Sequence, residues 1–157
     1  MKKILFFIYF PPSLLENQII SSTIWNSNVS SDHECVFYDL SEEIGYYELV
    51  KRIASIVRVE SLDRCFLILS AERGITLRDY FVKHTLCRLN QSLIIHYPAN
   101  TRKTFFNYLL RKQLFYGQKV ILADKNDYSM IKSYTSREKI MLCPKVDEGY
   151  LMKMFTL

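Results

Sequence analysis

The sequence predicts a single α/β domain over residues 1–157, a three-layer sandwich around a mostly parallel, doubly wound sheet of five or six strands, flavodoxin- or Rossmann-like. Three observations predict it. Apolar runs of strand length alternate with segments of helical period. The runs are continuously apolar rather than alternating, as strands covered on both faces are. At 157 residues and 49% hydrophobic content, the chain suits one domain with a substantial core, and four Gly and four Pro leave no linker, repeat or low-complexity tract.

The elements follow in order. Residues 3–10 form an apolar run ended by Pro11-Pro12, read as the first strand. Lys2 and Lys3 before that run imitate a signal peptide, but the run is short and no small-residue cleavage site follows it. A helix is expected over 13–25, a strand over 34–40, and a helix over 43–59 with Leu49, Ile53, Ile56 and Val57 on one face. Residues 64–69 make a third strand, 76–89 a helix, 92–97 a fourth strand and 100–116 a helix. A fifth strand at 119–123, a short helix near 127–134, a sixth strand at 139–143 and a helical tail from Asp147 complete the chain. Ligands of such sheets bind beyond the carboxyl ends of the strands. Those ends fall at 11–13, 41–43, 70–74, 98–101 and 124–127.

Charge is distributed unevenly. From 80 to 123 there is no Asp or Glu, while Lys83, Arg88, Arg102, Lys103, Arg111, Lys112 and Lys119 fall in that window. Residues 1–79 carry eleven acids against eight bases, and 124–157 five against six, so the formal +5 of the chain is one basic belt on a near-neutral body. Such a belt points to an acidic partner: nucleic acid, an anionic membrane or an acidic protein surface, of which nucleic acid and the protein surface are the expected ones. On the helix at 100–116, Phe105, Phe106, Leu109, Leu110 and Tyr116 gather on one side, the expected core face. Lys103, Thr104, Asn107 and Arg111 gather on the other, Lys112 flanks the apolar face, and Arg102 falls in the expected first turn, where a cation opposes the helix dipole. The expected partner-binding residues are Arg102, Lys103, Asn107, Arg111, Lys112 and Lys119. Tyr108 and Phe115 lie beside this stripe, with core packing or base stacking as their roles.

Catalytic signatures are sparse. The first strand–helix loop has no glycine, and neither GxGxxG nor GxxxxGK[ST] occurs. No GxSxG surrounds Ser13 or Ser70. Cys35, Cys65, Cys87 and Cys143 form no CxxC and no zinc spacing with His33, His84 or His96, and they read as reduced thiols of a cytoplasmic protein. Asn28-Val29-Ser30 matches a glycosylation sequon, which matters only for a secreted chain. The residues demand no cofactor or metal, and no segment reaches the ~18–20 apolar residues of a membrane span. His96 is the best placed for acid–base chemistry, with a serine as nucleophile and Glu72 as its orienter. The alternative ligand site therefore comprises Ser70, Glu72, His96, Asn100, Asp124 and Lys125. The run Asp124-Lys125-Asn126-Asp127 reads as a turn whose Asn126 or Asp127 caps the next helix.

The strand pattern resembles the receiver domain of response regulators, as five-stranded α/β sheets in general do. That family carries acids after the first strand, a phosphoacceptor Asp after the third and a Lys after the fifth. This chain has Phe10-Pro11-Pro12 and Ser70 at the first two places, and Lys125 fits the last. The resemblance implies a pseudo-receiver that takes no phosphate. Ser136-Arg137-Glu138-Lys139 looks like the start of a LuxR-type helix-turn-helix, but too little chain follows to build one. The expected function is a non-catalytic regulatory or scaffolding domain, a possible member of a multiprotein assembly, that binds an acidic partner through the belt. The alternative is a hydrolase or transferase, or another small-ligand or nucleotide-binding protein, using the strand-end loops.

Overall fold

The computed structural model describes residues 2–10 and 33–144. Ser13, the helix expected at 13–25, the sequon and the tail from Asp147 lie outside the described residues. Six strands appear as expected: β1 (Lys2–Ile8), β2 (His33–Asp39), β3 (Leu62–Ile68), β4 (Leu93–Tyr97), β5 (Lys119–Leu122) and β6 (Ile140–Leu142). Among the described residues the helices are α1 (Tyr46–Val59), α2 (Leu77–Arg88), α3 (Phe105–Phe115) and a single turn, α4 (Tyr128–Ile131).

The strands form one sheet in the order β2-β1-β3-β4-β5-β6, every neighbouring pair parallel. This is the flavodoxin-like order extended by β6. The connections through α1, α2 and α3 all advance the same way across the sheet. A right-handed crossover places each of them on the same face. On that face Leu5, Phe7, Cys65, Leu67, Ile95, Val120 and Leu122 pack against Leu49 and Ile53 of α1, Val82 and Leu86 of α2, and Leu110, Leu114 and Phe115 of α3. Each fully buried aliphatic side chain contributes roughly 1.5–3 kcal/mol. The alternate residues Ile4, Phe6, Ile8, Phe66, Ile68, Ile94 and Ile121 form a second buried cluster on the other face. There Phe6 stacks between Phe37 and Phe66, with ring centroids 5.3 and 4.9 Å away. Burial on both faces is what the unbroken apolar runs require.

Two helices start later than expected. α1 begins at Tyr46, capped by the extended backbone of Gly45. α3 begins at Phe105 because Thr104 and Asn107 form a reciprocal capping box. The preceding loop turns through Asn100 at φ 55°. Arg102 thus stands two residues before the cap, not in the first helical turn, and its expected conflict with the helix dipole does not arise.

The β3–α2 loop is fastened to the β4–α3 loop. The Arg102 N–H donates to Ala71 O at 2.7 Å, and the Ile75 N–H donates to Asn107 Oδ1 at 2.9 Å. Gly74 lies at this junction with φ 68°, and a Cβ there would stand 2.3 Å from Arg102 O and 2.6 Å from Asn107 Oδ1. Gly117 has φ 69° but nothing within 4 Å of a Cβ. Gly117→Ala is expected to cost about 1 kcal/mol from backbone strain alone, and Gly74→Ala at least about 2–3 kcal/mol, because the two loops must also separate. Urea unfolding of both variants measures the difference, and equal costs would show that the junction yields freely.

Candidate functional site

The carboxyl ends of β4 and β5 open onto a cavity of about 430 Å³ lined by Ile75, Tyr97, Lys103, Thr104, Asn107, Tyr108, Arg111, Asn126, Asp127 and Met130. The strand-end loops place the polar groups there. Lys103 comes from the β4–α3 loop, Arg111 from the second turn of α3, and Asn126 and Asp127 from the turn after β5. Arg111 Nε donates to Asn107 O at 3.1 Å, and the guanidinium lies 5.3 Å from the centroid of the Tyr108 ring. That packing aims the cation at the cavity while keeping it partly solvated. Burial raises the pKa of the Asp127 carboxyl, and Asp124 adds to this, while Lys103 opposes it. Burial also raises the Tyr97 phenol. The cavity thus gathers two cations and two amides around one carboxylate, a balance suited to a ligand's negative group.

Outside the cavity, α3 presents a different face to solvent than its pattern suggests. Phe105, Tyr108, Leu109 and Tyr116 are 72, 78, 50 and 68% exposed. The expected inward face holds for Leu110 and for Phe106, which packs half-buried against the core, but Phe105, Leu109 and Tyr116 point outward. Asn107, expected on the partner-binding surface, is only 5% exposed. Its Oδ1 takes both the Thr104 and the Ile75 amides. An unpaired buried amide costs about 1–3 kcal/mol, so this bond fixes the rotation of α3 about its axis. Leu110 and Leu114, three and seven residues on, then turn inward with Asn107, and the aromatic stripe turns out. Phe115 is buried, leaving Tyr108 as the exposed ring of that pair.

The other expected residues disperse. Arg102 and Lys112 are exposed, and Lys119 opens β5 at the opposite end of the sheet from the cavity. Among the described residues Arg102, Lys103 and Lys112 form no ion pair. Ser70 is buried at the end of β3, where its Oγ accepts the Arg73 N–H at 3.3 Å, while Glu72 is exposed on the same loop. His96 is 1% exposed within β4, in register with Ile68 and Ile121 of the second sheet face, and burial lowers its pKa to about 4. Neither Ser70, Glu72 nor His96 lines the cavity. Asn100 holds its loop's left-handed turn. Asp124 caps the turn after β5, accepting the Asn126 N–H at 2.8 Å, and Asp127 stands at the N-cap position of α4 as expected but makes no side-chain capping bond there. Lys125 faces away from this cavity.

At the switch point between β1 and β3, another carboxyl serves structure. Asp79 is fully buried, accepts the Tyr9 hydroxyl at 2.9 Å and the Thr76 amide at 2.7 Å, and completes the capping box of α2. Arg73 stacks 5.1 Å from the centroid of the Tyr9 ring. The Thr-x-x-Asp at 76–79 and Thr-x-x-Asn at 104–107 are local signals that mark both helix starts in the sequence.

No protein-family model, no curated protein and no solved structure matches the chain.

Two buried groups make stability depend on pH with opposite signs. Burial holds His96 at about 4, so its contribution is complete above pH 6.5 and is lost as pH falls toward 4. Burial raises Asp79 to about 6, so its contribution is complete below about pH 4 and is lost as pH rises through 6. Asp79→Asn removes the second slope alone. Relative to the unaltered chain, its unfolding free energy is expected to gain about 2–3 kcal/mol between pH 4 and 6. Urea midpoints across that range measure it, and parallel profiles would show that Asp79 titrates as an ordinary carboxyl.

Proposed function

We propose that this chain is a non-catalytic binding domain that docks an acidic protein partner on the outer face of α3. The observation that carries the reading is the exposed stripe of Phe105, Tyr108, Leu109 and Tyr116 beside Lys103, Arg111 and Lys112. Four large apolar side chains on one helix face form a patch of the kind that marks interaction sites. Aromatic and Arg side chains are the usual anchors of such interfaces. The charge that α3 and the loop before it bring to the patch has one sign, because residues 80–123 contain no acid, and this favours an acidic partner surface. A carboxylate of that partner fits the adjoining cavity between Lys103 and Arg111, while its apolar side chains cover Leu109 and Tyr116. A protein partner is preferred to nucleic acid because Leu109 and Phe105 sit on a convex helix with an aliphatic centre, whereas strand-tracking sites line up cations along a groove.

The test is site-specific photocrosslinking from position 116 in the cells that make the protein, with exposed Val59 as the control position. The partner captured from 116 is then purified and titrated. It is expected to be acidic, and Leu109→Glu or Lys112→Glu should each weaken binding about tenfold or more. A partner bound equally well by both variants would overturn the reading. Salt-sensitive binding of a labelled duplex or RNA strand that is lost in Lys112→Glu would replace the protein partner with nucleic acid.

A further inference from the structure

The turn after β5 and α4 stand between two cavities. Asn126, Asp127 and Met130 face the one beside α3, whereas Lys125, Tyr128 and Lys132 face a second cleft of about 750 Å³ against β6. Thr135, Ser136, Arg137, Ile140 and Leu142 close it from the other side. Three cations, Lys125, Lys132 and Arg137, therefore share one concave volume, and among the described residues no carboxylate lines it.

The nearby acids among the described residues are used elsewhere. Asp127 lines the other cavity, Asp124 accepts the Asn126 amide, and Glu138 takes the Ser136 hydroxyl and its own backbone N–H. The fourth cation of this stretch, Lys139, donates to Gly117 O at 3.0 Å. Lys125, Lys132 and Arg137 form no ion pair among the described residues. Three like charges around one volume repel one another, and an anion in the cleft relieves that repulsion. The Tyr128 ring and the Ile140 and Leu142 side chains supply an apolar wall beside the charges.

We propose that this cleft binds a small organic polyphosphate of the size and charge of a nucleoside diphosphate. Such a ligand carries about three negative charges near neutral pH, matching the three cations. Its flat ring has the Tyr128, Ile140 and Leu142 wall to pack on. The volume lies within the roughly 300–1,000 Å³ of small-molecule sites. Charges gathered round one cleft suit a compact ligand, whereas a nucleic-acid backbone needs them spread along a path. The site is independent of the α3 docking face and shares no side chain with it.

Equilibrium dialysis of the full chain with labelled ADP tests it, with pyrophosphate and adenosine as the two halves of the ligand. The expected result is saturable ADP binding, weakened about tenfold or more by Lys132→Ala and by Arg137→Ala. Adenosine alone should bind far more weakly than ADP, because it lacks the charge the cations recognise. Both substituted residues are exposed, so the fold should survive, which urea midpoints check. Lys112→Glu, which tests the docking face, should bind ADP like the unaltered chain. Absence of saturable ADP binding would overturn the proposal, as would ADP binding that neither Lys132→Ala nor Arg137→Ala weakens. RNA or duplex binding lost in those variants, without ADP binding, would also overturn it.

Discussion

One side-chain carbonyl organises the carboxyl edge of this sheet. Asn107 Oδ1 accepts the amide of Ile75, 32 residues away in the chain, while closing the capping box of α3 with Thr104. That bond ties the β3–α2 loop to the β4–α3 loop. It sets where α3 begins and which side of it faces the sheet. Gly74 is required beside it because the two loops approach too closely for any Cβ. The cavity between Lys103 and Arg111 and the outward aromatic stripe both follow from this anchoring.

Polar groups buried elsewhere are committed to structure. Asp79 spends its oxygens on Tyr9 and Thr76, and His96 lies among isoleucines of the second sheet face. Desolvation disfavours the charged form of each, raising the Asp79 carboxyl to about 6 and lowering the His96 imidazole to about 4. Around α3 and α4 the strand-end loops offer solvent the cations Lys103 and Lys125 beside the carboxylates Asp124 and Asp127.

Folding redistributes the charge seen in the linear sequence. The acid-free window reads as one belt, but Arg88 and Lys119 lie at the amino ends of β4 and β5, and Arg102 and Lys103 at the carboxyl ends. The near-neutral stretch after it gathers Lys125, Lys132 and Arg137 into a cleft, while its described acids, Asp124, Asp127 and Glu138, are bonded locally or line the other cavity. One turn of helix separates two basic concavities of different size and lining.

The sequence by itself determined the α/β class, the six strands and the order in which helices follow them, because burial on both faces demands unbroken apolar runs such as 64–69 and 92–97. It also exposed the one-signed window at 80–123. Periodicity fixes the angles between side chains on one helix but not the rotation of that helix against its neighbours. Tertiary structure decided that rotation for α3, through a bond from Asn107 to a residue on another loop, and so reversed the expected roles of Asn107, Phe105, Leu109 and Tyr116. The convergence of Lys125, Lys132 and Arg137 was likewise illegible in the chain. It depends on β6 pairing beside β5, a long-range contact that brings Arg137, Ile140 and Leu142 back against α4.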